Sequence, residues 1–143
     1  MATVKRFEEL EVYKLGMEIF QNVWTMCRNL PRTEFALADQ MKRSALSIIS
    51  NIAEGYERNS RKEFIQFCYI AKGSVGELRA QLEGCYSVGL LNKEKYEQVR
   101  KLCFRESGAL ASFIEYLRRT SKGKPENKQT SRGSLSRAEK SEP

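Results

Sequence analysis

A chain of 143 residues with 41% apolar and 30% charged residues has the balance of one globular domain. Its length lets it bury roughly two-thirds of its unfolded surface without metals or disulfides. It contains no histidine, which excludes histidine metal sites, Ser-His-Asp triads and Cys-His dyads. No window approaches the roughly eighteen apolar residues of a membrane span. The start, Met1 to Arg6, carries charge at once and lacks the apolar run of a secretory leader, so a cytoplasmic protein is expected.

The net charge is +7. Residues 1–119 carry 19 Lys and Arg against 15 Asp and Glu, and residues 120–143 carry 6 against 3. The second stretch has no aromatic residue and only Leu135 and Ala138 as apolar ones. It cannot bury enough apolar surface to offset its ordering entropy. A domain of residues 1–119 followed by a disordered basic tail, 120–143, is therefore expected.

The prolines, Pro31, Pro125 and Pro143, leave residues 32–124 without that helix breaker. A first helix is predicted from Phe7 to Leu30, stopped by Pro31, with Leu10, Tyr13, Met17, Phe20, Trp24, Cys27 and Leu30 as its apolar stripe. A second is predicted to begin at Thr33 as N-cap, with Glu34 in its first turn. Its stripe is Leu37, Met41, Ala45, Ile48 and Ile52, and Gly55 suits a left-handed C-cap. Ser60 and Glu63 form a capping box opening a third helix, whose stripe is Phe64, Phe67 or Cys68, Ala71, Val75, Leu78, Leu82 and Cys85 up to Gly89. Asn92 can cap a fourth, where Tyr96, Val99, Cys103, Leu110, Phe113 and Leu117 recur with a seven-residue rhythm. No segment shows the two-residue alternation of a strand. Short connections make neighbours antiparallel, so the fold expected is all-α, an up-down-up-down four-helix bundle.

Beside the apolar stripe of the second helix runs a polar one, Gln40, Ser44, Ser47, Asn51 and Glu54. Ser74, Glu77 and Gln81 form its counterpart on the third. Facing each other they would make a hydrogen-bonded seam within the bundle, or a wet interface between subunits. Gly73 and Gly76, inside the third helix, each cost about 1 kcal/mol relative to alanine and suggest close approach of another backbone, inside the bundle or across a subunit contact. The sequence around them lacks phosphate-loop spacing. Cys27, Cys68, Cys85 and Cys103 form no CxxC pair and fall on apolar stripes, as small buried residues do; a zinc site would need closer ligand pairs. Glu54 and Glu77 lack the Glu-x-x-His partners of a di-metal bundle. No metal or cofactor is expected.

The run from Gln40 through Ser44, Ile48, Asn51 and Glu54 to Gly55 closely resembles the signature of the four-helix-bundle 23S rRNA intervening-sequence proteins. Phe7, Leu10, Val12 and Tyr13, then Pro31, Glu34 and Leu37, match as well, as does Ile70-Ala71-Lys72-Gly73-Ser74 followed by Glu77-Leu78. The resemblance spans roughly residues 5–119. It implies a small cytoplasmic bacterial protein without known enzymatic activity that assembles into a ring-like homopentamer. The fold is also similar to the accessory protein of diversity-generating retroelements, a pentamer that binds nucleic acid and a reverse transcriptase. Ala36 stands where an aromatic residue is common, Arg79 where an acidic one is common, and the tail lies outside the shared pattern. In an oligomer, Gln40, Ser44, Asn51, Glu54, Gly55, Gly73, Ser74 and Glu77 become structural and interface positions.

The function expected is non-enzymatic binding of RNA or an RNA/DNA hybrid through Lys42, Arg43, Arg58, Arg61, Lys62, Lys72 and Arg79, with no sequence-reading module. The alternative is a protein-interaction scaffold, such as an accessory subunit of a reverse transcriptase. An enzyme would have to draw on Glu54, Glu77, Tyr56 and Cys68, among which no nucleophile–base pair is legible.

Overall fold

The computed structural model describes residues 4–123. Four helices account for most of them: α1 Glu11–Arg28, α2 Phe35–Glu57, α3 Arg61–Ser87 and α4 Lys93–Gly123. Short 3-10 turns, Phe7–Glu9 and Arg32–Glu34, precede α1 and α2. Among the described residues there is no strand. Each helix packs on its two neighbours in the ring α1–α2–α3–α4, as consecutive helices joined by short loops do. The fold is the antiparallel up-down-up-down bundle. α4 runs four residues past Arg119, to Gly123; the tail beyond it lies outside the described residues.

Along the predicted stripe of α3, Phe64, Ala71, Val75, Leu78, Leu82 and Cys85 are buried, and of the two candidates Phe67 and Cys68 it is Cys68 that enters the core while Phe67 is half-buried. In α2, Met41, Ala45, Ile48 and Ile52 have no exposed surface, whereas Leu37 remains partly exposed at the helix start. Burying each such Leu, Ile or Val contributes roughly 1.5–3 kcal/mol. α1 differs from expectation. Leu10 and Cys27 are buried as expected, but the other residues buried here are Val12, Gly16, Ile19, Val23 and Met26, one register over from Tyr13, Met17, Phe20 and Trp24. Both registers are apolar at helical spacing, and the slimmer one enters the core while Trp24 stays 45% exposed.

The helix ends show which local signals acted. Ser60 Oγ accepts from the Glu63 backbone N–H at 3.2 Å, and Asn92 Oδ1 accepts from that of Lys95 at 2.8 Å, as expected of N-caps. Thr33 does not cap; it lies in a 3-10 turn, and α2 starts at Phe35 without a side-chain cap. α3 ends in a Schellman motif: Gly89 has φ +83°, Leu90 N–H bonds Cys85 C=O at 2.9 Å and Gly89 N–H bonds Tyr86 C=O at 3.0 Å. Gly55 is not a left-handed cap. It lies inside α2, and a Cβ there would stand 2.6 Å from Phe67 Cβ and 2.9 Å from Phe64 Cδ1. Its missing side chain lets α2 and α3 approach.

Candidate nucleic-acid interface

The two polar stripes meet in part. Ser47 Oγ and Ser74 Oγ share a hydrogen bond of 2.8 Å between α2 and α3. Asn51 Nδ2 donates to Ser47 C=O at 2.8 Å and to Ser47 Oγ at 2.9 Å, and Ser74 also bonds Ile70 C=O at 3.2 Å. Ser44 and Ser74 are buried, while Gln40 and Glu77 are exposed. This is a hydrogen-bonded seam of small residues. Gly73 and Gly76 are exposed, with no atom within 4 Å of an added Cβ, so within the chain no backbone approaches them.

The seven basic residues singled out from the sequence fall in three places. Lys42 holds its Nζ 4.5 Å above the Trp24 ring on α1, and neighbouring Arg43 is bonded to Asp39 at 2.8 Å, whose carboxylate pushes its guanidinium pKa up. At the α2–α3 turn, Arg58 reaches Glu63 at 3.2 Å and Glu54 at 3.7 Å and lies 5.0 Å from the Phe67 ring. Arg61 beside it is partly buried, and desolvation lowers its pKa, while Lys62 is exposed. Lys72 and Arg79 belong to a third place, the flank of α3 that faces α4.

That flank follows from helical register. Tyr69, Lys72, Gly76, Arg79 and Glu83 recur at steps of three and four, and contacts with α4 occur along it. Arg79 stacks 4.2 Å from the Phe104 ring and Arg100, one turn before Phe104, lies 4.9 Å from it. Arg118 donates to Tyr69 Oη at 2.8 Å, with its guanidinium 5.8 Å from the ring, and it also reaches Glu115 at 3.4 Å. Glu83 accepts from Tyr96 Oη at 2.6 Å and from Arg100 Nε at 3.2 Å. The Tyr96 hydrogen bond, then Arg100, draws the Glu83 carboxyl below its ordinary range, and the same contact raises Tyr96. The Tyr69 hydrogen bond raises Arg118. Phe104 and Tyr69 keep 45% and 48% of their surface exposed. Sequence reasoning found Lys72 and Arg79 here but missed Arg100, Phe104, Arg118 and Tyr69. The available signal was an aromatic residue off the core stripe with an arginine four residues before it, as Arg100 precedes Phe104.

Among the described residues, the buried titratable groups form no hydrogen-bonded acid–base pair. All four cysteines are free and buried. Burial pushes the Cys27 thiol up to about 11 and those of Cys68 and Cys103 up to about 12, the opposite of what a nucleophile needs. Among the described residues no three Cys, Asp or Glu side chains gather as metal ligands. Tyr56 Oη bonds the backbone of Val4 at 3.2 Å. Glu106, which the sequence reading passed over, has no exposed surface and neither carboxyl oxygen has a hydrogen-bond partner. It occupies the step between Cys103 and Leu110 on α4, opposite Gly16 of α1, where an added Cβ would stand 3.1 Å from Glu106 Oε2. Burial pushes its carboxyl up to about 9, so it is a neutral acid at pH 7.

A model of the 23S rRNA-intervening sequence protein family matches residues 8–112. The chain belongs to that family. This family member is also similar to the crystal structure of a protein of unknown function from the S23 ribosomal protein family of Bacteroides thetaiotaomicron. The TM-score is 0.69 at 25% identity, covering 73% of this chain and 95% of the other. No match was found among curated proteins. The residues 8–112 take in all of α1 to α3 and the part of α4 that carries Arg100, Phe104 and Glu106. Arg118, which touches Tyr69, lies beyond it.

Proposed function

We propose that this family member is a non-enzymatic, cofactor-free protein that binds RNA through its basic surface. The observation that supports this reading is the α3–α4 flank, where Lys72, Arg79, Arg100 and Arg118 stand together beside two exposed aromatic rings. Arginine presents planar, permanently charged donors suited to phosphate oxygens, and long charged side chains at a surface exchange water for phosphate readily. Assembly into a homopentamer, as the family resemblance implies, would repeat this flank around a ring and raise its effective affinity without new contacts. The test is equilibrium binding of a labelled RNA by the full chain from about 50 to 200 mM salt, where log K is expected to fall linearly with log salt. Arg79→Ala and Arg100→Ala should each reduce the slope by about 0.7, the share of one phosphate contact on a single strand. A slope unchanged by both variants would place binding elsewhere.

A second reading, a scaffold that docks on itself or on a reverse transcriptase, is favoured by the outer α2–α3 flank. There Ile70 is exposed one turn before Gly73, whose surroundings are open. An exposed isoleucine beside a glycine suits a protein surface better than phosphate. Sedimentation of Ile70→Glu against the parent chain tests it: loss of assembly supports the scaffold, and an unchanged species contradicts it.

A further inference from the structure

The α3–α4 flank carries more than charge. The guanidinium groups of Arg79 and Arg100, from two different helices, both lie against Phe104, and that of Arg118 lies against Tyr69. Along α3, Tyr69 and Arg79 are ten residues, or about 15 Å, apart, and along α4, Phe104 and Arg118 are fourteen residues, or about 21 Å, apart. Between these ring–guanidinium pairs the flank presents Gly76 and Gly108, at neither of which any atom lies within 4 Å of an added Cβ. The result is an exposed strip with flat, polarisable surfaces at both ends.

The charge along this strip is modest. Lys72 and the three arginines are opposed by Glu83 and Glu115, which already engage Arg100 and Arg118. A site that held phosphates alone would have no use for exposed rings, since phosphate contacts come from cations, hydroxyls and backbone amides. Unpaired bases, by contrast, stack on aromatic side chains and on guanidinium planes alike. A double helix keeps its bases stacked on one another, and the A-form major groove is too deep and narrow for side chains to read.

We infer that the α3–α4 strip holds a single-stranded nucleic-acid segment whose unpaired bases stack on the Phe104 and Tyr69 platforms while Lys72 and the arginines meet its phosphates. This rests on the RNA-binding reading above and narrows it to strandedness and to named rings.

The experiment compares a labelled, unstructured oligouridine of fifteen nucleotides with a blunt RNA duplex of the same length, on the full chain at a fixed salt concentration. The single strand should bind more tightly. Phe104→Leu, which keeps an apolar side chain but removes the ring, should weaken the single strand about tenfold, the size of one lost stack, and leave duplex binding unchanged. Thermal melting of the variant checks that the bundle is intact. Phe104→Trp in a Trp24→Phe background gives a second readout: its indole fluorescence should be quenched by the single strand and not by the duplex. Equal binding of both RNAs, with Phe104→Leu matching the parent and no quenching, would overturn the stacking inference and leave the RNA reading standing. Failure of the parent chain to bind either RNA at low salt would overturn both.

Discussion

α2 and α4 both pack along α3, and they do so with opposite chemistry. α2 meets α3 through small groups: Gly55 sits against Phe67 and Phe64, and the Ser47–Ser74–Asn51 seam satisfies its hydroxyls and amide in short hydrogen bonds. α4 meets α3 with long side chains at the surface, arginines laid over rings. Inside, it drives a carboxyl without a partner, Glu106, into the core. A contact built from small, mutually satisfied groups gains stability from closeness. A contact built from guanidinium and ring leaves donors and flat apolar surface at the edge of the molecule, where a ligand reaches them. The contrast sets a close-packed contact on one side of α3 against exposed donors and rings, the proposed binding flank, on the other.

The strongest way to break this contrast is through Glu106. Its folded carboxyl, at about 9, lies above the ordinary glutamate value of about 4.3. Folding therefore takes up a proton between those two values. The stability is fully present below about pH 4.3, falls as the pH rises, and is lost by about pH 9, a span on the order of 6 kcal/mol by linkage. Glu106→Gln should remove that part of the pH dependence, and Glu106→Leu, near in volume, should melt well above the parent at pH 7. Denaturant melts of the three proteins at pH 5, 7 and 9 check this; parallel curves would show that the carboxyl is hydrated or paired in solution.

On the α2 side, Gly55→Ala should cost about 1–3 kcal/mol, because Phe67 Cβ, held by the α3 backbone, has no flexible end to move away. Chemical denaturation measures it, and an unchanged midpoint would mean that the two helices stand further apart. Ser74→Ala leaves the Ser47 hydroxyl without its α3 partner and should cost about 1 kcal/mol. The smallest effect sharpens the comparison from outside the bundle. Gly73→Ala, in open surroundings, should stabilise the isolated chain by about 0.5–1 kcal/mol through helix propensity. If melting rises while assembly is lost, the outer α2–α3 flank is a subunit contact.

Much of this organisation was legible in the sequence. α3 has one apolar stripe, open only between Phe67 and Cys68, and Ser60 and Asn92 announce their helices because a cap acts through its own few residues. α1 was harder, since Val12-Ile19-Val23-Met26 and Tyr13-Met17-Phe20-Trp24 are both apolar at helical spacing, and only packing against two neighbours selects between them. Glu106 was hidden because the fourth stripe steps from Cys103 to Leu110, and an isolated carboxyl is the residue least expected to fill the gap. Lys72 and Arg79 stood out as charge. Their setting with Phe104, Arg100 and Arg118 depends on the register of α3 against α4, which no local pattern encodes. Gly55 was recognised as special for the wrong reason, helix termination in place of close packing.

The most direct test of where nucleic acid binds is photo-crosslinking of the full chain to a single-stranded RNA containing 4-thiouridine, followed by mapping of the modified peptides by mass spectrometry. Adducts on the peptides that carry Tyr69 and Phe104, on the α3–α4 flank, are the expected result. Adducts confined to the α2–α3 turn around Arg58 and Lys62, or to Trp24 and Lys42, would contradict it.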